Sequence, residues 1–207
     1  MSDVKISGYK VISLIDMINN LEEEKTNEIL YSFSCPLNED VETFLRSKAV
    51  LFDKQSISRT KLVFTSFKSQ VVLVGYFTLA YKDFTISQRI LSRKLRDRIK
   101  KFGSYNDDIK AYKISAPLIA QLGKNYANDY NKLITGDELL AIACKCVREV
   151  QLNIGGKIVY VECEDKARLL NFYESNGFVA FSRRQLDKDD AKVLNENYLV
   201  QLLRYLD

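Results

Sequence analysis

The spacing of apolar residues divides the chain into a helical beginning and a remainder in which strands and helices alternate. Apolar residues recur at helical spacing within residues 11–33, which predicts one or two helices there. Asn38 or Asp40 is then placed to cap a further short helix, because either side chain can accept a hydrogen bond from an amide of the first turn. We expect residues 1–30 to form a helical N-terminal extension.

A pair of strands and a basic helix are predicted next. Residues 60–67 and 71–82 are rich in β-branched and aromatic residues, and the link between them has hairpin length. Gly75 inside the second segment indicates a bulge or a close approach of another backbone. Residues 88–101, which we call the basic segment, carry apolar residues at helical spacing and are predicted to form a helix that ends near Gly103.

The second half of the chain alternates between strand and helix patterns. The predicted elements are, in order, a strand at 116–124, a helix from near Gly136 to Gly155, a strand at 157–163, a helix at 165–176, a strand at 177–183 and a closing element at 196–206. The closing element alternates with period two, which favours a strand over a helix. Since no linker rich in Gly, Ser or Pro interrupts the chain, we expect one α/β domain over residues 1–207.

Composition excludes several kinds of chemistry. The 207 residues are 46% hydrophobic, so the chain can bury a core without disulfides or a structural metal. There is no His, and the four Cys form no Cys-x-x-Cys pair, which argues against zinc and against a His-activated nucleophile. No secretory signal or membrane-spanning run is visible. We therefore expect a cytoplasmic protein with no metal and no membrane partner.

Positive charge is concentrated in the basic segment. It contains seven Lys or Arg and one Asp, whereas the net charge of the whole chain is only +4. Two interpretations stay open: a solvated helix face, or a surface that binds a polyanionic substrate. On the second interpretation, the substrate-binding residues are Arg89, Arg93, Lys94, Arg96 and Arg98.

The passage from the strand ending at Lys124 to the helix beginning near Gly136 is a candidate anion site. The first amides of a helix have no intrahelical partner and lie at the positive end of its dipole, and a glycine allows close approach. The pattern is not specific, because every helix that follows a loop begins in this way. Tyr173 shares one face of a later helix with Ala167 and Leu170, where an ordinary core aromatic is the alternative.

Several motifs in the second half resemble the GNAT superfamily of N-acetyltransferases. The letters "VEC" at 161–163, followed by Ala167 and "FYESNGF" at 172–178, resemble the last motif of that family, which contains Tyr-x-x-x-Gly-Phe. The letters "PLIAQLGK" at 117–124 resemble the strand that lines the acetyl-CoA slot, and "GDELL" at 136–140 resembles the start of the coenzyme-binding helix. The resemblance implies an α/β GNAT fold, with a mixed central sheet of about six or seven strands flanked by helices.

The front half is similar to the toxin-type GNAT proteins, which acetylate the amino group of aminoacyl-tRNA. The similarity includes "FSCPLNEDVETFL" at 33–45 and "VGYFTLAY" at 74–81. The resemblance implies an N-acetyltransferase that transfers an acetyl group from acetyl-CoA to a primary amine, here the amino group of aminoacyl-tRNA. It makes Tyr173 the catalytic acid that protonates the departing thiolate, since a phenol with a pKa of about 10 is protonated at neutral pH.

The resemblance also implies which residues bind the coenzyme. They are Leu122, Gly123, Lys124, Asn131, Lys132, Ile134, Thr135, Gly136 and Asn171. Two positions depart from the family pattern of the diphosphate loop: Asn131 stands where Gln or Arg is usual, and Ile134 where Gly is usual. The side chain of Ile134 is expected to crowd a diphosphate at this loop.

Three functions therefore stay open. The chain is an acetyltransferase that acts on aminoacyl-tRNA, an acetyltransferase for a small amine or a protein, or a catalytically degenerate GNAT fold that only binds a nucleic acid or protein. The departure at Ile134 favours the third function, whereas Tyr173 favours the first two. Expected partners are the amine acceptor, with tRNA as its carrier, a second copy of the chain, and an antitoxin-like inhibitor protein.

Overall fold

The computed structural model describes residues 5–6, 8–91, 93–186 and 198–206. Its helices are α1 (Leu14–Asn20), α2 (Glu23–Tyr31), α3 (Glu39–Thr43), α4 (Ala49–Lys54), α5 (Arg93–Ile99), α6 (Gly136–Ile154) and α7 (Ala167–Ser175). Its strands are β1 (Lys5–Ile6), β2 (Tyr9–Ser13), β3 (Arg59–Phe67), β4 (Gln70–Ser87), β5 (Gly103–Asn106), β6 (Ala111–Lys124), β7 (Ile158–Cys163), β8 (Val179–Gln185) and β9 (Tyr198–Tyr205). A π-helical turn, Phe44–Lys48, joins α3 to α4, and a 3₁₀ segment covers Ala127–Lys132.

The described strands pair in the order β1-β2-β3-β4-β6-β7-β9-β8, and β5 pairs with β6. The hairpin β3–β4 is antiparallel, as are the pairs β7–β9 and β8–β9. Lys68 and Ser69 make the hairpin turn with positive φ angles of 48° and 63°. The closing element is the strand β9, so the choice of a strand over a helix is confirmed.

The chain divides into two compact units. The first comprises Met1–Ala80 and Ile119–Cys146, and the second comprises Tyr81–Leu118 and Val147–Asp207. This division does not decide whether residues 1–207 form one domain, which stays a prediction.

The core of the first unit forms where α1, α2 and the α3–α4 region pack on β3 and β4. Its fully buried side chains include Leu14, Phe33, Leu45, Ala49, Leu62 and Tyr76. Asn38 caps α3, because its side chain accepts a hydrogen bond from the amide of Val41 at 3.2 Å. The predicted cap at Asn38 is thereby confirmed.

The core of the second unit is built from the later part of β4, from β6 and from β7–β9. Phe84 lies between Tyr160 and Phe181, with 4.8 Å between ring centroids in both pairs. Ile99 at the end of α5 is fully buried in the same cluster. The basic helix therefore belongs to this unit through its apolar face.

Two predictions about element boundaries were wrong. The beginning of the chain is not purely helical, since β2 (Tyr9–Ser13) pairs antiparallel with β3 before α1 begins. The basic segment is helical only at Arg93–Ile99, because β4 continues to Ser87. The amide of Gln88 then donates to the carbonyl of Lys110 at 3.0 Å, which satisfies that backbone group outside any helix.

Among the residues that the structure describes, no helix has the length and apolar character needed to cross a membrane.

Candidate active site

The side chain of Asn125, the first residue after β6, anchors the loop that follows this strand in the first unit. This amide is fully buried and satisfied at both ends. It donates to the carbonyl of Leu73 at 2.9 Å and accepts from the amides of Ser34 at 2.9 Å and Ala127 at 3.0 Å. A buried amide that is hydrogen-bonded through both its nitrogen and its oxygen holds its surroundings rigidly. Sequence reasoning missed Asn125, since one Asn after a strand gives no distinctive signal.

Lys124 supports the next part of the loop from beneath. Its ammonium group donates to the carbonyl of Asn131 at 2.9 Å and to that of Ile134 at 3.2 Å. The hydroxyl of Tyr9 donates to the carbonyl of Leu133 at 2.9 Å. The loop carbonyls thus point at donors within the first unit, so the loop has one defined conformation in front of α6.

A capping box begins α6. The hydroxyl of Thr135 accepts from the amide of Glu138 at 3.1 Å. In return, the carboxylate of Glu138 accepts from the amide of Thr135 at 2.7 Å and from its hydroxyl at 2.8 Å. This reciprocal arrangement satisfies two of the backbone donors at the start of the helix. The Thr-x-x-Glu spacing is visible in the sequence, but it was not used to place the helix start.

Glu138 gives the helix start a negative charge of its own. The hydrogen bonds from the backbone and the side chain of Thr135 hold the pKa of Glu138 below its usual range, and the charge of Lys124 acts in the same direction. Burial and the nearby charge of Glu138 raise the pKa of Tyr9. Glu138 is therefore ionised at neutral pH, and its carboxylate lies where an anionic ligand of α6 would approach.

Ile134 does not crowd the surface of this loop. Its side chain is only 2% exposed, so it is packed inside the protein and not at the solvent-facing entrance of the helix. The entrance is instead formed by Thr135, which is exposed, and by Gly136, which is half-buried. The expectation that Ile134 obstructs the loop is corrected by this placement.

Gly123 lies at a tightly packed point of β6. A methyl group at this position would collide with the side chain of Val41 and lie 3.3 Å from the ring of Phe33. The hydroxyl of Tyr76 donates to the carbonyl of Val41 at 2.5 Å, which fixes the covering segment. Leu122 is half-buried beside it. The predicted coenzyme-binding residues from Leu122 to Gly136 are thus brought together in the first unit.

Tyr173 and Asn171 lie on α7 in the second unit. Tyr173 is 8% exposed, and its ring packs against Phe172 and Phe178 at centroid distances of 5.0 Å and 5.7 Å. Asn171 is exposed. The roles assigned to both residues stay predictions.

Residues 175–178, with the sequence "SNGF", form the turn that ends α7. Gly177 has a φ of +78°, its amide donates to the carbonyl of Glu174 at 2.9 Å, and the amide of Phe178 donates to the carbonyl of Tyr173 at 3.1 Å. This is a Schellman motif, in which a glycine ends the helix and the next apolar residue packs back on it. The motif fixes both the backbone and the ring of Tyr173.

The "VEC" motif places Glu162 in a polar network on the sheet of the second unit. Its carboxylate accepts from Nε of Arg184 at 2.9 Å and from the side-chain amide of Gln201 at 2.8 Å. These bonds join β7 to both β8 and β9. Glu162 is therefore engaged in holding three strands together.

The basic segment divides into residues that pack inward and residues that face solvent. Arg96 donates to the carbonyl of Gln88 at 3.3 Å, and the guanidinium of Arg98 lies 5.4 Å from the ring centroid of Tyr205. Arg89, Arg93 and Arg98 are exposed, and Arg96 is half-buried. The side chain of Lys94 lies outside the described part of the structure. The five predicted substrate-binding residues are thus not equivalent.

Within the described ranges, no group of three or more Cys, Asp or Glu side chains is arranged to hold a metal ion. The site of the first unit offers backbone amides, the ammonium group of Lys124 and hydroxyls, which donate hydrogen bonds to anions, beside the carboxylate of Glu138.

Comparison with known proteins defines the class of fold. No family model matches the chain, and no curated protein is similar to it in sequence. Solved structures do match over nearly the whole chain, and they confirm the GNAT fold predicted from the sequence.

Three of these structures are of the proteins AtaT and KacT. A Tyr-to-Phe mutant of KacT is 17% identical, with 95% of each chain covered and a TM-score of 0.61. AtaT complexed with acetyl-methionyl-tRNAfMet is 19% identical, with 93% of each chain covered and a TM-score of 0.60. A mutant of the toxin AtaT, bound to the C-terminus of the antitoxin AtaR and acetyl-CoA, is 17% identical, with 96% of this chain and 94% of that chain covered and a TM-score of 0.57. The resemblance to toxin-type GNAT proteins is thereby confirmed for the fold.

Proposed function

We propose that this chain is an acetyl-CoA-dependent N-acetyltransferase whose acceptor is the amino group of an aminoacyl-tRNA. The proposal joins the GNAT fold to the chemistry at the start of α6. AtaT, which has the same fold, has been solved with acetyl-CoA and with an acetylated aminoacyl-tRNA. A cytoplasmic location belongs to the same proposal.

The observation that carries the proposal is the ordered helix start behind Lys124. Gly136 is the first residue of a 19-residue helix, and the loop in front of it is held by Lys124, Tyr9 and Asn125. Among the described residues, Lys124 donates to carbonyl oxygens and not to a carboxylate, so its charge is not cancelled at hydrogen-bond distance. A positive helix end beside a cation fits a diphosphate.

In this proposal, acetyl-CoA supplies the acetyl thioester and the protein binds, orients and donates protons. The first amides of α6 and the ammonium of Lys124 hold the diphosphate. The neutral acceptor amine forms the new C–N bond as the C–S bond breaks. The phenol of Tyr173 gives its proton to the departing thiolate, and the proton lost by the amine passes to solvent and restores the phenol. No histidine is needed, because an α-amine has a pKa of about 8 and is partly neutral at cellular pH.

The acceptor is assigned to RNA on the charge of the second unit. Arg89, Arg93 and Arg98 are exposed, so cations are available for phosphates. An antitoxin-like inhibitor and a homodimer stay predictions.

Coenzyme binding tests the proposal independently of the acceptor. At acetyl-CoA concentrations of about 100 times Kd, binding at one site stabilises the folded state by about 2.7 kcal/mol. For a chain of this length, Tm should then rise by about 5–10 °C. Lys124→Met should abolish most of the shift, whereas Lys54→Met, at an exposed position of the same unit, should leave it unchanged. The absence of any shift at millimolar acetyl-CoA would contradict the proposal.

A second candidate function, a binding module without catalysis, is favoured by one observation. The carboxylate of Glu138 already accepts hydrogen bonds at the start of α6 and repels an incoming anion. If neither the wild-type chain nor Glu138→Gln is stabilised by acetyl-CoA while RNA still binds, the second candidate replaces the first.

A further inference from the structure

The second unit contains a pocket that takes no part in the proposed coenzyme site. It lies at the C-terminal end of α6 and has a volume of about 180 Å³. Its wall combines polar groups with apolar side chains, among them Phe102, Ile114, Ile154 and Ile158. An engineered apolar cavity of about 150 Å³ holds a benzene molecule, so this pocket has room for one substituted ring.

One residue of the wall, Gln151, has a buried side-chain oxygen without a partner among the described residues. Gln151 is 3% exposed, and its Nε2 donates to the carbonyl of Ile158 at 2.9 Å. Its Oε1 is buried and makes no hydrogen bond with any described residue. Leaving a buried carbonyl unsatisfied is unfavourable, so a guest that brings an N–H donor to this oxygen would remove that cost. The pocket therefore favours a ring that carries a hydrogen-bond donor.

The rim of the pocket is aromatic and exposed. Tyr81 is 62% exposed and Ile154 is 68% exposed, although both are large side chains at the pocket edge. Phe102, three residues after the end of α5, contributes a second aromatic ring to the pocket. Aromatic walls of this kind stack on planar rings, and they do so whatever the exact ring.

Positive charge adjoins the aromatic wall. Phe102 follows Lys101 in the chain and packs against Tyr205 at a centroid distance of 5.9 Å. The guanidinium of Arg98 covers that same tyrosine at 5.4 Å. If the base of a nucleotide occupied the pocket, the sugar-phosphate backbone of its strand would pass these cations. Single-stranded nucleic acids are commonly bound in this way, with bases on aromatic side chains and phosphates on cations.

We propose that this pocket binds one unstacked base of an RNA strand, with a base N–H directed toward Oε1 of Gln151 and the flanking phosphates on the basic segment. The inference rests on the proposed function for its choice of RNA, and it adds a place where the RNA is gripped through a base and not only through its charge.

Two nucleic-acid ligands distinguish binding of a base from binding of phosphate charge. A short single-stranded RNA and a fully abasic ribose-phosphate strand of the same length are titrated against the full chain by fluorescence anisotropy. The wild-type chain should bind the RNA about tenfold more tightly than the abasic strand, as expected for one stacked base. Equal affinities for the two strands would overturn the proposal.

Two variants locate the preference in the pocket, and a third is the matched control. Ile154→Ser and Gln151→Met should each reduce the tenfold preference to about twofold or less, with the abasic affinity unchanged. Leu152→Ser changes an equally exposed residue, at 70%, on the same helix outside the pocket wall, and should keep the preference. An unchanged preference in both pocket variants would overturn the proposal, and so would an effect of Leu152→Ser as large as theirs.

The failure of this inference is distinguishable from that of the proposed function. The acetyl-CoA thermal shift is measured on the same variants, and it should be retained in all three. Base-dependent RNA binding without a coenzyme shift would leave the pocket assignment standing and remove the enzymatic proposal. Indole serves as a small aromatic probe in a competition titration. If indole binds in the pocket and RNA does not displace it, the pocket is a site for small aromatic molecules, and the assignment to a base is overturned.

Discussion

At the scale of single residues, the proposed acetyltransferase activity depends most on Tyr173 and Glu138. Tyr173 is held by the Schellman turn and by two aromatic neighbours, so its ring has little freedom. Glu138 is held by reciprocal hydrogen bonds with Thr135. The first residue offers a proton donor on a rigid helix end, and the second places a negative charge at the entrance of another helix.

Tyr173→Phe should lower the rate of acetyl transfer by about 10²-fold or more, because the departing thiolate loses its proton donor. Coenzyme affinity, measured by thermal shift, should change by less than about twofold, since the aromatic ring is retained. Tyr76→Phe is the matched control: it removes a buried hydroxyl bonded to the carbonyl of Val41, and should lower stability but not the rate per folded molecule. A Tyr173→Phe rate equal to the wild-type rate would remove Tyr173 from the mechanism.

Glu138→Gln should tighten acetyl-CoA binding by about threefold to tenfold. Gln can still complete a capping box, so the substitution removes the charge and keeps the helix cap. The gain should shrink as salt concentration rises, because it is electrostatic. Asp137→Asn, one residue away in the same turn, gives the comparison for a charge that does not take part in the box. Weaker coenzyme binding by Glu138→Gln would mean that the carboxylate helps the ligand and does not oppose it.

At the scale of elements, the packing of β6 against its cover in the first unit sets the geometry of the candidate site. A Cβ on Gly75 would lie 2.9 Å from the carbonyl oxygen of Gly123, and the register of β3 and β4 shifts beside Gly75. Both outcomes predicted for Gly75, a bulge and a close backbone approach, are present. Because Gly75 and Gly123 have no side chains, the backbones of β4 and β6 can approach closely at the candidate site.

Gly123→Ala should destabilise the fold by about 1–3 kcal/mol, as overpacking does in a close-packed interior. The added methyl group would collide with Val41, so Val41→Ala should recover part of the loss when the two substitutions are combined. Chemical denaturation of the two single variants and the double variant measures this coupling. Strictly additive effects would show that the collision with Val41 is not the cause.

The sequence predicted the order of the elements well, because periodicity and turn residues are local signals. The hairpin at β3–β4, the helix α6 and the turn at Gly177 all followed from patterns of a few residues. It did not predict β2, whose five residues become a strand only by pairing with β3. Tertiary pairing overrode the local helical spacing there.

The candidate site was predicted less completely. The segment from Leu122 to Gly136 does gather in one place, but the groups that hold it come from elsewhere. Tyr9 is 124 residues from the carbonyl it binds, and Ser34 is 91 residues from Asn125. Such contacts leave no local pattern. The burial of Ile134 could not be predicted either, since a single apolar residue in a polar loop fits the surface and the core equally well.

At the scale of the whole molecule, uneven charge is the feature that bears on the acceptor. The chain has a net charge of +4, with the basic segment as its strongest concentration. Arg96 is half-buried and donates to the carbonyl of Gln88, whereas Arg98 stays exposed although its guanidinium lies over the ring of Tyr205. Arg89 and Arg93 are exposed and take part in none of these contacts, so they are the first pair to test for phosphate binding.

Combined substitution of Arg89 and Arg93 by Gln should weaken tRNA binding and reduce its salt dependence. Each lost phosphate contact lowers the slope of log K against log salt by about 0.7–0.9. Lys10→Gln and Lys25→Gln, made together in the first unit, remove the same charge at another place and should leave the slope almost unchanged. Equal slopes for the wild-type chain and the arginine variant would assign these cations to a solvated surface.

The most direct measurement is acetyl transfer itself. The purified chain is incubated with isotope-labelled acetyl-CoA and aminoacyl-tRNA, and the amino acid released by mild base is analysed by mass spectrometry. The account predicts a labelled N-acetyl amino acid from the wild-type chain, at least about 10²-fold less from Tyr173→Phe, and none when deacylated tRNA is supplied. Coenzyme-saturated wild-type protein that leaves the amino group of aminoacyl-tRNA unmodified would contradict it.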